Sequence, residues 1–153
     1  MNMPKQIDII LSKFIEETKN IFVDDLVSIV LFGSAAEDEF RQTSDVNMMI
    51  VLKDFTLENV KEIRESFRTA HIAIQLNARF ILKSEIALAA ESFAVKFLDM
   101  ASRHRILYGI NPSYKKYTLP SSLIAFTNLL YFHCFTNSTL HLDSSTPIVI
   151  RLK

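Results

Sequence analysis

Apolar residues near the start of the chain recur at three- and four-residue steps: Ile7, Ile10, Leu11, Phe14 and Ile15, then Ile21 and Phe22. That spacing lines one face of a helix. It predicts an amphipathic helix from about Pro4 to Asn20, with Pro4 in the first turn, where its missing N–H costs no hydrogen bond. The pattern then changes. VSIVLF, residues 27–32, is a β-branched apolar run ending at Gly33, and DVNMMIVL, residues 45–52, is a second; both predict strands. Thr56 is placed to cap a helix whose Leu57, Val60, Ile63 and Phe67 share a face. HIAIQL, from His71 to Leu76, alternates as a third strand would. Ser84 is expected to cap a helical stretch from Glu85 to about Ala90. Another helix spans Phe93 to about Arg103, with Gly109 and Pro112 closing it. Beyond Pro112 the pattern offers one strand-like run, PIVIRL, and an apolar stretch from Leu123 to Phe135. That stretch is 13 residues long and broken by Thr127, Asn128 and His133, too short and polar to span a bilayer. It reads as a buried helix or a strand pair.

The element order, α-β-(short α)-β-α-β-α, predicts an α/β (α+β) protein with helices packed on a small mixed sheet. Composition narrows the picture. A length of 153 residues suits a single domain over 1–153, and 49% hydrophobic against 22% charged residues supplies a core. Lys plus Arg and Asp plus Glu balance at 17 each, which argues against a protein that coats a long polyanion. A local basic patch remains open. The lone Cys134 has no partner for a disulfide and no CxxC motif for zinc, and the N-terminus shows no apolar signal-peptide core. A cytoplasmic protein is expected.

Strand side chains alternate faces, so Asp45 and Asn47 project from one side of the second strand with Cα atoms roughly 6.6 Å apart. Both could reach one ion. Gly33 and Ser34 lie where a strand gives way to a short helix, a place where exposed N–H groups favour phosphate and Gly lets the backbone approach closely. A phosphate cradle beside a metal ligand suits nucleotidyl transfer, in which Mg²⁺ ions activate the attacking hydroxyl and neutralise the leaving pyrophosphate. Each feature also has a plainer reading. Gly33-Ser34 can be an ordinary corner with Ser34 as N-cap, and Asp45 can bond its own loop. His71 can be a surface residue. Arg103, His104 and Arg105 fit a helix C-terminus through its dipole, with a phosphate or RNA contact as the lesser alternative.

In this chain IVLFGS is followed by ten residues, AAEDEFRQTS, and then by Asp45-Val46-Asn47. That arrangement resembles the nucleotidyltransferase superfamily related to polymerase β, especially its small bacterial members, in which Gly-Ser precedes Asp-x-Asp at a similar distance. ESFAVKFLDMASRHRILYG is similar to a helix and "vLyG" ending found in many of them. The resemblance covers about residues 5 to 112 and leaves 113–153 as a C-terminal extension. It implies a nucleotidyltransferase fold, nucleotide contact at Gly33 and Ser34, and catalytic and metal-binding positions at Asp45 and Asn47. It also implies Mg²⁺ as cofactor and ATP or another NTP as ligand. By analogy with two-component toxin and antitoxin pairs, it implies a helical protein partner.

The departures weigh against full activity. Asn47 stands where the family has its second Asp, so one carboxylate is missing. The family takes a third acid from a later strand, yet HIAIQL offers only His71 and Gln75. Asp54 lies at the far end of its strand, roughly 30 Å from Asp45. After Gly-Ser come Ala35, Ala36, Glu37 and Asp38, where members often carry basic residues and a Gly; acids there repel a triphosphate. Removing one preorganised electrostatic partner typically costs about 10²–10³ in rate. The expectation is a nucleotidyltransferase-fold protein with impaired chemistry that binds nucleotide or a partner. One rival is an active enzyme moving NMP from an NTP to a protein or small-molecule hydroxyl with one Mg²⁺. Another is an interaction module, antitoxin-like or homo-oligomeric, that packs 123–135 against another subunit.

Overall fold

The first helix, α1 (Lys5–Phe22), forms where its apolar stripe predicts and buries Leu11, Phe14, Thr18 and Phe22. Thr18 tolerates burial because its hydroxyl donates to the Phe14 carbonyl at 2.7 Å. This computed structural model describes residues 4–37 and 45–112. After α1 come β1 (Leu26–Phe32), a 3₁₀ turn at Gly33–Ala36, β2 (Val46–Leu52), α2 (Leu57–Ile74) and β3 (Leu76–Leu82). They are followed by α3 (Ile86–Ser92), α4 (Ala94–Ser102) and β4 (His104–Gly109). The four strands form one sheet in the order β3-β2-β1-β4. β1 is antiparallel to both β2 and β4, whereas β2 and β3 run parallel with α2 as their crossover.

The two central strands are apolar without alternation because both faces of the sheet are covered. On one face Ile29, Leu31, Met48, Ile50 and Leu52 join Leu11 and Phe14 of α1 and Ile63 and Phe67 of α2. The Phe14 and Phe67 rings meet at 6.3 Å between centroids, linking the helices. On the other face Val30, Phe32, Met49 and Val51 pack with Ile86 and Ala90 of α3 and Phe97 and Met100 of α4. Burying one such side chain is worth about 1.5–3 kcal/mol. The central strands are therefore buried on both sides except at Val27 and Asn47, which are half-buried.

Three expectations need correction. First, HIAIQL is not a strand: His71–Ile74 are the last turn of α2. Thr56 and Asn59 form a reciprocal capping box at the start of that helix. The buried stripe Val60, Ile63, Phe67, Ala70 and Ile74 then carries it through the alternating segment. Gln75, with φ +52, ends it. His71 stacks on Phe67 at 5.9 Å, and its Nδ1 lies 2.9 Å from the Leu76 carbonyl, so it completes the helix end. Second, Ser84 caps nothing; it sits in a 3₁₀ turn, Lys83–Glu85, and α3 begins at Ile86 with no side-chain cap bond. Third, α4 ends close to Arg103 as expected, but Gly109 and Pro112 do not close it. It ends at Ser102, and His104–Gly109 form the edge strand β4. PIVIRL, the Leu123–Phe135 stretch, Cys134 and Asp38 lie outside the described residues. Among the described residues no helix is long and apolar enough to cross a membrane.

Candidate functional site

Where β1 ends, the register lines up four residues across the sheet: Asn77 of β3, Asn47 of β2, Phe32 of β1 and His104 of β4. Directly paired residues share a face, so the four form one row. One row further in stand Arg79, Met49, Val30 and Ile106. This is the face that α3 and α4 cover through Phe32, Met49 and Val30. The Gly33 corner follows Phe32 directly at the end of β1.

The corner is held from behind by Arg103. Gly33, at φ +73, donates its N–H to the Arg103 carbonyl at 3.0 Å. The Arg103 guanidinium donates to Asp99 Oδ1 from Nε at 3.1 Å and Nη2 at 2.5 Å. Its Nη1 lies 3.7 Å from the Glu37 carboxylate. One residue thus ties the start of the corner, its exit and α4 together. The bond and charge of Asp99, then the weaker attraction of Glu37, push the basicity of Arg103 above its ordinary value. Glu37 is therefore matched with a cation rather than left facing an incoming phosphate. The pairing is exposed, so water and salt screen it.

The corner is a 3₁₀ turn of four residues, not the opening of an α-helix, and its N-cap position is Phe32 rather than Ser34. Any phosphate cradle must therefore come from side chains and individual N–H groups rather than a helix dipole, and the Gly33 N–H is already engaged. Ser34 is half-buried and Asn47 stands next to the corner. A Cβ on Gly33 would meet Asn47 Nδ2 at 3.8 Å, and the same amide lies 3.5 Å from the Asp45 carbonyl. Asp45 itself is exposed immediately before β2. The structure thus brings Gly33, Ser34, Asn47 and Asp45 together.

This donor set fits Mg²⁺ poorly. The ion needs anionic oxygens to hold it, and the row offers two neutral amides, a phenyl ring and an imidazole. Among the described residues no cluster of three or more His, Cys, Asp or Glu could hold a metal. The true third strand, LNARFIL, contains no Asp or Glu. Its Asn77 is the residue in register with Asn47.

Positive groups were the part the sequence pattern missed. Lys96 of α4 sets its ammonium 5.3 Å from the centre of the Phe32 ring, a cation–π contact on the row itself. His104 closes the row, with Nδ1 3.1 Å from the Ala101 carbonyl. Arg79 is half-buried one row in, and burial lowers its basicity from the ordinary guanidinium value. Strand parity would have exposed Asn77 and Arg79 had β3 been placed at 76–82; nothing local marks Lys96.

A family model described as a nucleotidyltransferase domain matches residues 11–108. A Methanocaldococcus jannaschii protein that carries the name protein adenylyltransferase is 27% identical over 116 residues, 74% of this chain and 79% of that protein. Among solved structures, spectinomycin adenyltransferase AAD(9) from Enterococcus faecialis, with ATP and spectinomycin, is similar with a TM-score of 0.54 and 11% identity. That match covers 73% of this chain but only 59% of the enzyme, and at such identity it is a likeness of fold. The complex of tri-AMPylated Shewanella oneidensis HEPN toxin with MNT antitoxin matches with a TM-score of 0.42 and 17% identity, covering 86% of this chain and 92% of that one.

Proposed function

The chain belongs to the nucleotidyltransferase domain family, and on that premise we propose that it binds a nucleoside triphosphate at the Gly33 corner while its two-metal transfer chemistry is impaired. One observation carries this reading. The row beside the corner is Asn77, Asn47, Phe32 and His104 and holds no carboxylate, and Asp45 stands two residues before Asn47. Two-metal catalysis requires carboxylates to hold both ions against the charge of the substrate. Amides hold neither. Asn47 and the Ser34 hydroxyl retain the capacity to donate hydrogen bonds to phosphate oxygens, and Asp45, exposed immediately before β2, can meet the ribose or an acceptor group. A helical protein or a second copy of the chain is the proposed partner, following the resemblance to toxin and antitoxin pairs.

The test pairs calorimetric titration of ATP, with Mg²⁺ and with EDTA, with an assay for transfer of labelled AMP. The expected result is binding without detectable transfer. Mg²⁺-dependent transfer that Asp45→Ala abolishes would restore the active-enzyme reading. Failure to bind ATP under either condition would leave the interaction module, which light scattering would then address.

A further inference from the structure

Resting on that reading, we propose that the polyphosphate is gripped by the protein's own cations, Arg79 and Lys96, placed on either side of Asn47, in the role that bound divalent ions fill in a two-metal site. The geometry argues for it. Asn47 sits on β2; Phe32, over which Lys96 Nζ lies at 5.3 Å, is its direct partner on β1. Arg79 stands on β3, on the opposite side, diagonal to Asn47 by one residue pair. Diagonal neighbours on adjacent strands lie about 7–8 Å apart, within reach of a long side chain. The two cations therefore bracket the amide from both sides across about two strand spacings of roughly 4.8 Å each. A chain of phosphates bridges such a span, whereas a single phosphate reaches one end of it.

The surroundings are consistent with an anionic guest. Lys96 is anchored over a ring that is 1% exposed, so its ammonium is held at the row. Arg79 is partly withdrawn from water, and a desolvated guanidinium attracts a phosphate more strongly than a solvated one while presenting a fork that matches its oxygens. Two acids near the corner, Glu37 and Asp99, are engaged by Arg103. Asp45 is exposed to solvent immediately before β2. The Asn47 amide between the cations adds a neutral donor where a carboxylate would repel the ligand.

Isothermal titration of ATP and of AMP in EDTA tests this with the full chain. Wild-type protein should bind ATP without metal. Arg79→Met and Lys96→Met should each weaken ATP about ten- to hundred-fold, the worth of one ionic hydrogen bond, and weaken AMP much less. Arg79→Lys should recover part of the loss, and Lys61→Met on α2 should change nothing. If Arg79→Met does not fold, the exposed Lys96→Met decides alone. Wild-type binding of ATP with unchanged affinity in both methionine variants would overturn this proposal and leave the nucleotide-binding reading standing. Wild-type affinity that appears only with Mg²⁺ would also overturn it, and absence of any ATP binding would remove both.

Discussion

Replacing Gly109 with alanine should destabilise the protein far more than the same change at Gly33, although both glycines sit at nearly the same backbone angle. Their φ values are +76 and +73, so each alanine pays about 1–2 kcal/mol for a left-handed conformation. The surroundings then separate them. At Gly33 the nearest atom to a new Cβ is Asn47 Nδ2 at 3.8 Å, an ordinary contact with a side chain that can shift. At Gly109 the Cβ would lie 2.0 Å from the Val27 carbonyl oxygen and 3.1 Å from Ser28 Cα, both backbone atoms of β1. No rotamer relieves that overlap. The end of β4 must lift from β1, breaking the pairings of Ser28 with Gly109 and Ile29 with Tyr108. At about 1 kcal/mol for each lost pairing, Gly109→Ala costs about 3–4 kcal/mol in total, against about 1–2 kcal/mol for Gly33→Ala. With about 2–4 °C per kcal/mol in a domain of this size, the melting midpoints followed by circular dichroism should drop by about 10 °C and about 4 °C respectively. Two variants that melt together would refute the reasoning, because the backbone overlap is the only term that distinguishes them.

Further outcomes follow from other contacts. Thr56→Ala removes the hydroxyl that accepts the Asn59 N–H at 3.2 Å and should cost about 1 kcal/mol in urea denaturation, with Thr56→Ser recovering it; equal stability of all three proteins would show the cap to be idle. Phe67→Ala empties a site that is 2% exposed, tilted against Phe14 and stacked on His71, and should cost about 3–5 kcal/mol by the same measurement. A loss under about 1 kcal/mol would mean that α1 and α2 collapse onto the gap without penalty. Asn47→Asp sets a second carboxylate beside Asp45 and should raise Mg²⁺ affinity in calorimetry while lowering metal-free ATP affinity about ten-fold or more. No change in either quantity would place Asn47 outside the site.

Much of the molecule was legible in the order of its residues. α1, β1, β2 and the Thr56 cap depend on periodicity and on hydrogen bonds between residues three or four apart, and such local signals survive without knowledge of the fold. The Gly33-Ser34 corner and the Asp45, Asn47 pair were visible for the same reason. HIAIQL misled because a short alternating segment suits a strand and a helix end equally. Ile74 extends the stripe of α2, and its burial against the sheet settles the choice. β4, which follows the helix that ends near Arg103, carries too little local signal to be read as a strand; it is one because β1 offers an edge. The site divides along the same line. Sequence alone fixes that carboxylates are scarce, since that concerns which residues are present. Tertiary structure alone decides that Asn77 lies level with Asn47, that Arg79 stands one row further in and Lys96 over Phe32, and that Arg103 holds the corner. Those placements arise from pairing between strands far apart in the chain, where register follows from the sum of many long-range contacts and from no single stretch of sequence.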